Sequence, residues 1–469
     1  MSSAIVVGSG PNGLACAATL ASRGLEVTVI EAAETIGGGT RSSELTGPGL
    51  LHDECSATHP MAVSSPAVAG LGLERHGLEW AWPEVDLAHP LDGGRGATML
   101  RSLKATAAGL GEAGARWRRV FGRPSRDYDA LTEDIYHPLP HLPRHPLRLL
   151  RFGLPAATPA TLLARALGSE EAAALFGGVA AHAYAPLNLP MSSSIAMALI
   201  CAGHAYGWPA AKGGSVAIAE AWASVIREHG GRIETGRRVH SLAELPEADA
   251  VVLDLAPRGV LEVAGERLPS RTARAYGRFK HGPAAFKLDL AVEGGVPWAY
   301  EPARRAGSVH AIGSLAETVL CEREIHRGRM PERPFVLVGQ QYLADPGRSK
   351  GDLHPVWTYA HVPSGYDGDA SEAILDQVER FAPGLRERIV ARSTRTPAEI
   401  EAANPNFIGG DILTGANTPL QMLLRPRATA VPYATGIPGV FICSAATPPG
   451  AGAHGINGFN AAEAVLRTL

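Results

Sequence analysis

A short β-branched run, Ala4-Ile5-Val6-Val7, leads without a break into Gly8-Ser9-Gly10-Pro11-Asn12-Gly13 and then into a helix-patterned stretch, residues 14–23. Gly24 stops that helix, residues 25–30 read as a second strand, and Glu31 closes it. Strand, glycine turn, helix, strand and acid in this order is the context in which G-x-G-x-x-G signals a dinucleotide site. Gly8 permits the sharp turn, Gly10 lets a pyrophosphate approach the backbone, and Gly13 lets helix and strand pack closely. Pro11 suits a first helical turn, and Asn12 lies in the turn that offers free N–H groups to phosphate. Glu31 is placed to accept hydrogen bonds from both ribose hydroxyls of an adenosine, and its charge would repel a 2′-phosphate, which argues against NADP.

A second glycine cluster distinguishes the dinucleotide. Glu31 and Ala32 are followed by Ile36-Gly37-Gly38-Gly39-Thr40-Arg41, which NAD binding does not require. It resembles the glycine pair of two-dinucleotide-binding-motif flavoproteins, where small residues let the chain pass beside the FAD diphosphate. That resemblance implies phosphate contacts at Gly38, Gly39, Thr40 and Arg41; the arginines usual two residues after the acid and directly after the glycine pair are replaced by Ala33 and Gly39. The C-terminus repeats the logic. A buried strand pattern through residues 440–446, the loop Thr447-Pro448-Pro449-Gly450-Ala451-Gly452-Ala453-His454-Gly455-Ile456 and a helix over 457–467 close the chain. In such flavoproteins this helix points its N-terminus at the isoalloxazine ring, which gives Ala445, His454, Gly455 and Ile456 a place beside FAD. Between them, a helix over 216–229, paired strands over 232–235 and 238–242, and a buried strand over 250–254 are expected, with the Val239 backbone meeting adenine.

Together with Gly282-Pro283-Ala284-Ala285-Phe286-Lys287-Leu288-Asp289, residues 334–340 and Asn404-Pro405-Asn406-Phe407-Ile408-Gly409-Gly410-Asp411, these segments resemble the phytoene desaturase and carotenoid isomerase branch of the flavin amine oxidase superfamily. Bacterial relatives of pyridine nucleotide-disulfide oxidoreductase domain-containing protein 2 are similar over nearly the whole chain. The resemblance implies an α/β fold: a Rossmann-like FAD-binding domain of the two-dinucleotide-binding-motif type, with a mixed antiparallel-sheet and helical substrate domain. Residues 1–75, 205–280 and 410–469 are assigned to a discontinuous FAD-binding domain. Residues 76–204 and 281–409 are assigned to the substrate side, the first with a helical insertion.

Composition narrows the alternatives. A chain of 469 residues, 45% hydrophobic, supports two or three domains. A net charge of −3 gives no case for nucleic acid. Five scattered cysteines without a C-x-x-C pair argue against a redox-disulfide reductase and fit a reducing cytoplasm. No basic leader precedes the first strand, so a cytoplasmic protein is expected. Residues 134–155 are unusual: His137, His141 and His145 fall four apart, but Pro138, Pro140, Pro143 and Pro146 break a helix across them, so no metal site is expected. Leu147, Leu149, Leu150, Phe152 and Leu154 interleave there with Arg144, Arg148 and Arg151, which reads as a surface loop or as a peripheral membrane contact.

The flavin supplies the redox chemistry, so protein groups bind, orient and tune. Candidate catalytic residues are His454, in the terminal loop, and His59, which with His52 and Asp53 follows the glycine pair. Tyr184 and Tyr206 are pocket or core aromatics, and Cys443 a core thiol. The resemblance implies hydride removal from a C–H bond of a hydrophobic small molecule to give C=C, with oxygen or a quinone as electron acceptor. Two alternatives remain: a flavin amine oxidase, a class that uses a lysine-held water and an aromatic cage, with Lys280 and Lys287 as mid-chain lysines, or a redox-neutral flavin-dependent isomerase.

Overall fold

The computed structural model describes residues 2–138 and 141–469. In chain order the strands that build it are β1 (Ser3–Val7), β2 (Glu26–Ile30), β3 (Val85–Pro90), β4 (Gly96–Met99), β5 (Arg232–Glu234), β6 (Ala250–Leu253), β7 (Ala284–Glu293), β8 (Ala306–Ala311), β9 (Val336–Gly339), β10 (Leu353–Val362), β11 (Ile389–Arg395) and β12 (Val440–Ile442). The helices that matter most to the site are α1 (Pro11–Ser22), α2 (Pro146–Ala157), α3 (Val216–Glu228) and α4 (Ile456–Leu466).

The first sheet is parallel, in the order β12-β6-β1-β2-β5. Its central strands β1 and β6 are apolar on both faces, as a sheet covered on both sides requires. Ala4 and Val6 of β1 face one way, onto Leu14, Trp222 and Phe441 beneath α1, α3 and α4. Ile5 and Val7 face the other way, onto Leu253, Val260 and Ile442. Strands from the two ends and the middle of the chain thus share one sheet.

The second sheet has the order β11-β7-β10-β9-β8-β3-β4 and is antiparallel except where β8 meets β3. Its period-two alternation separates two chemistries. Phe286, Leu288, Leu290, Val338, Val356 and Ala360 pack with Ile374 and Val378 of helix Ser371–Phe381. Ala285, Leu337, Trp357 and Tyr359 face the opposite way with Tyr184 and Phe335. Helices Gly114–Arg126, Tyr128–Ile135, Ala160–Leu167, Glu170–Ala181 and Ser194–Tyr206 form a lobe with its own core around Trp117, Phe121 and Phe176.

Two expectations need correction. Residues 238–242 do not form a strand paired with 232–235; β5 pairs parallel with β2 instead. Ser241 Oγ accepts from Ala243 N and caps a 3-10 turn, Leu242–Glu244, so a local side-chain bond displaces the ladder. The proline-rich segment does contain a helix, α2, because Pro146 occupies its first position, where no N–H is needed, and Pro155 falls in its last turn. His137 and His141 lie outside α2, and His145 precedes it; Pro140 falls outside the described residues. Among the described residues no group of His, Cys, Asp or Glu is arranged to hold a metal ion.

α1 and α4 pack through their first turns. A Cβ on Gly458 would meet the Asn12 carbonyl oxygen at 1.9 Å. Gly458→Ala is therefore expected to lose about 3 kcal/mol of stability in denaturant titration. Gly153→Ala, in open space within α2, should instead gain about 0.5–1 kcal/mol. Equal effects of the two substitutions contradict this packing.

Candidate functional site

β1 ends at Gly8, whose φ of +101° turns the chain into α1. Gly10 is the N-cap of α1 and supplies no side-chain cap, and the N–H of Asn12 in the first turn is left for a ligand. A Cβ on Gly13 would meet Gly8 O at 2.2 Å, so only glycine permits this closeness. Glu31 follows β2 and is held at the turn: its carboxylate accepts from Ser9 N at 2.7 Å, Ser9 Oγ at 2.6 Å and Ala33 N at 2.8 Å. Ala32 beside it is exposed. The second glycine cluster folds onto the first. Gly37 N donates to Ser9 O at 2.9 Å, and a Cβ on Gly38 would lie 3.1 Å from Gly10 Cα. Gly38, Gly39 and Thr40 form a 3-10 turn closed by Thr40 Oγ1 donating to Gly37 O. Arg41 lies 3.7 Å from Glu31 and donates to the carbonyls of Thr35 and Ala403. Arg237 N bonds Glu31 O at 2.9 Å, which carries the chain past Glu31 to the buried Val239.

Asp254, directly after β6, is a residue the motif reading did not single out. Its buried carboxylate accepts from Gly13 N at 3.0 Å, and a Cβ on Gly10 would lie 2.5 Å from its Oδ2. Burial, with Glu31 nearby, pushes its pKa up to about 7 against the bonding from Gly13. The only sequence signal was an acid ending a buried β-branched run.

The second helix terminus lies against the first. Gly455, at φ +69°, is the N-cap of α4 and also offers no side-chain cap. Ala445 sits in the turn after β12, which Asn457 Nδ2 ties down through the carbonyls of Ser444 and Thr447. His454 Nδ1 accepts from Ile456 N at 3.2 Å, which leaves the proton on Nε2. Its ring stacks on Tyr136 with centroids 5.8 Å apart, and burial pulls its pKa down to about 4. Buried Asn12 Oδ1, Ser444 Oγ, His454 Nε2 and Asn457 Oδ1 have no partner. These unpaired atoms, the glycine cradle and the two neighbouring helix N-termini fit a dinucleotide that spans both turns.

His59 is placed differently. Its Nε2 bonds Ser215 Oγ at 2.8 Å before α3, its N–H donates to Pro209 O, and burial lowers its pKa to about 4. It packs 5.9 Å from Trp80 and makes no recorded contact with His454. Asp53 forms a buried ion pair with Arg348 at 2.6 Å; burial raises its pKa, but Arg348 and the donors Ser215 and Ser42 outweigh that and leave it lowered.

The facing sheet brings Lys287 to the second glycine turn. A narrow slot of about 30 Å³, room for one water, lies between Gly38, Arg41 and Cys55 on one side and Lys287, Trp357 and Tyr359 on the other. Lys287 is ion-paired with Asp289, two residues along the same face of β7, and its ammonium lies 5.6 Å from the Trp357 ring centroid. Burial lowers its pKa, opposed by Asp289. Asp289 Oδ1 faces His52 Nδ1 at 3.3 Å, and His52 Nε2 bonds Thr46 Oγ1 at 2.7 Å. Charged residues two apart in an apolar strand were the sequence signal for this cluster. Tyr184 is buried, 3.8 Å between ring centroids from His361, while Tyr206 lines a separate groove of about 740 Å³ with Tyr136 and Ile456. Lys280 lies outside both, and Cys443 is a core thiol.

Known proteins share this fold. Residues 6–70 match the NAD(P)-binding Rossmann-like domain. Pyridine nucleotide-disulfide oxidoreductase domain-containing protein 2 of Rattus norvegicus is 23% identical, over 99% of this chain and 93% of its own length. Hydroxyneurosporene desaturase of Cereibacter sphaeroides is 26% identical, over 99% of this chain and 97% of its own. Among solved structures, an oxidoreductase from Methanosarcina mazei superposes with a TM-score of 0.66 at 15% identity, covering 99% of this chain and 100% of that one. A double mutant of putrescine oxidase does so with a TM-score of 0.63 at 15% identity, covering 100% and 98%. These likenesses show a Rossmann-like dinucleotide-binding fold at residues 6–70 and an oxidoreductase fold shared over the full chain. The second glycine turn lies where residues 38–55 meet the antiparallel sheet. No helix among the described residues is long and apolar enough to cross a membrane.

Asp254 gives a pH test. The folded state keeps its proton to about pH 7, whereas an ordinary Asp carboxyl loses it near 3.8. The stability this group contributes therefore falls as pH rises through that window. Asp254→Asn should melt above the wild type at about pH 8, with the difference shrinking towards about pH 5. A pH-independent difference contradicts the assignment.

Proposed function

We propose that this protein is an FAD-dependent oxidoreductase that takes a hydride from a C–H bond of a hydrophobic small molecule and leaves a C=C bond, with oxygen or a quinone as electron acceptor. The observation that carries it is the pair of helix N-termini, α1 and α4, each entered through a glycine and packed side by side, with Glu31 beyond one of them. Full-length homology to a desaturase supports the reaction class.

In this reading Gly8, Gly10, Pro11, Asn12 and Gly13 hold the diphosphate, with Gly38, Gly39, Thr40 and Arg41 beside it. Glu31 and Ala32 take the adenosine ribose, and the Val239 backbone takes adenine. Ala445, His454, Gly455 and Ile456 hold the ring end. FAD, when bound, accepts the hydride. His454, neutral above about pH 4, keeps a hydrogen-bond donor at Nε2. His59 fixes the start of α3 against Pro209 and so holds one wall of the site. When hydride leaves one carbon, the adjacent carbon must yield a proton, and Lys287, ion-paired with Asp289 and with its pKa lowered by burial, is the amine that lines the slot. Asp289 and His52 behind it lead towards Thr46 on the exposed loop.

A second reading, oxidation of an amine to an imine, is favoured by one observation: buried Lys287 stands against Trp357 and Tyr359, whose rings meet at 89° with centroids 5.0 Å apart.

Anaerobic mixing of the holoprotein with lipophilic and amine fractions of the source cells separates the readings. Bleaching of the flavin by the lipophilic fraction is expected. Bleaching by the amine fraction alone favours the amine oxidase. Isomerisation of a polyene by pre-reduced protein, without net oxidation, favours the isomerase. Glu31→Ala should weaken FAD binding by about ten- to a hundredfold, the worth of a charged hydrogen bond of roughly 1.5–3 kcal/mol, with the fold retained by circular dichroism. Unchanged affinity contradicts the ribose role.

A further inference from the structure

Arg348 and Arg425 are both buried, and they are matched very differently. Arg348 is 1% exposed, and Asp53, Asp345 and the Ala211 carbonyl take up its donors. Arg425 is 3% exposed, yet no carboxylate lies within ion-pair distance of it among the described residues. Its recorded hydrogen bond runs from Nη2 to the neutral Asn417 Oδ1 at 2.7 Å, and its Nε has no partner. A guanidinium has more donors to place than that. Burial pulls its pKa down to about 10, opposed by Asp411, so it remains a cation at neutral pH. Asp411 does not pair with it: its oxygens accept from Gly282 N, Leu413 N and Gly415 N and face His281. A buried charge without a counter-ion destabilises the fold, and packing alone gives no reason to keep it.

The charge lies where two parts of the site meet. On one side is the terminal loop that leads to His454: a Cβ on Gly450 would lie 2.8 Å from Arg425 Nη1. On the other side Asn417 Nδ2 donates to Ala183 O at 2.9 Å, just past helix Glu170–Ala181 of the helical lobe. The next residue, Tyr184, is buried at φ +48°, a conformation rare for an aromatic residue, and its hydroxyl has no partner. Tyr184 packs with Phe335, Trp357 and Tyr359, the aromatic face of the antiparallel sheet. An unmatched cation thus stands at one end of an aromatic wall.

We propose that Arg425 receives a carboxylate carried by the substrate, so that the hydrophobic molecule oxidised here is an acid. This rests on the reading of the site given above and adds the substrate's charged end. A carboxylate takes two N–H groups of a guanidinium in parallel, which supplies both the missing charge and the missing acceptors. The aromatic wall takes the apolar body. The anchor at Ala183 puts Arg425 on the substrate side of the terminal loop, and its charge repels a simple amine.

The test is calorimetric titration of the holoprotein with decanoate and phenylbutyrate, each compared with the matching alcohol. Each acid is expected to bind at least about tenfold more tightly than its alcohol. Arg425→Gln keeps a donor for Asn417 and should lose that preference while binding the alcohols as before. Arg425→Lys, which keeps the charge without the planar fork, should recover part of it. Without ligand, Arg425→Gln should melt at or above the wild type, because an unmatched buried charge has been removed. Acids that bind no better than their alcohols overturn the inference, as does a preference that survives in Arg425→Gln. A melt far below the wild type also overturns it and makes Arg425 structural. A shifted flavin reduction potential in Arg425→Gln, with acid binding unchanged, overturns it too and assigns the guanidinium to the flavin. Calorimetry needs no turnover, so the result stands apart from whether C=C formation is the reaction.

Discussion

The contact between the first turns of α1 and α4 is the constraint on which the rest depends. Gly458 allows α4 to lie against the Asn12 carbonyl, and a Cβ on Gly455 would lie 2.8 Å from Ala15 and 3.0 Å from Trp222. Two helices from opposite ends of the chain thereby bring their positive ends to one place. The cost is visible there: Asn12 Oδ1, Ser444 Oγ and Asn457 Oδ1 are buried without partners. Each such group costs about 1–3 kcal/mol. An anionic cofactor with polar groups along its length offsets that cost, which is the physical reason to read this junction as a binding site.

The antiparallel sheet meets the junction with a face of mixed character. Most of its alternation is apolar, yet Lys287 and Asp289 occupy the face towards the glycine turns and hold one another there. Ion pairs, buried at Arg348 and half-buried at Arg395, also tie residues 53–54 to the antiparallel-sheet side. Arg348 reaches Asp53 at 2.6 Å, Asp345 at 3.1 Å and Ala211 O at 2.6 Å, and Arg395 reaches Glu54 at 2.8 Å. Removing one partner of such a pair costs about 3–5 kcal/mol, because the other charge stays buried alone. The segment carrying His52, Asp53, Glu54 and Cys55 is thus pinned to the sheet. This explains why the residues after the glycine pair line the slot while His59 turns away to Ser215.

The parts of the site legible in the sequence are those whose signal is local. Gly8, Gly10, Gly13, Glu31 and the Gly38 cluster lie within one βαβ unit, where turn, helix and acid follow from short-range sterics. The terminal loop and α4 were legible for the same reason. Asp254 was not, because its partner Gly13 is 241 residues away. The Lys287–Asp289–His52 cluster needed the register of β7 and the path of residues 52–55, which no spacing encodes. The misread strand at 238–242 shows the converse. Val239 and Leu242 are buried, but Ser241 uses its hydroxyl in a local cap and no ladder forms with 232–235. α2 shows that proline position outweighs proline count: Pro146 starts the helix that the surrounding prolines seemed to forbid.

The most direct measurement of the central claim is the identity and stoichiometry of the dinucleotide in the purified protein, read from its visible absorption and from chromatography of what heat releases. The account predicts FAD, one per chain, released without covalent attachment. A bound nicotinamide dinucleotide, or no flavin uptake after incubation with FAD, would contradict it.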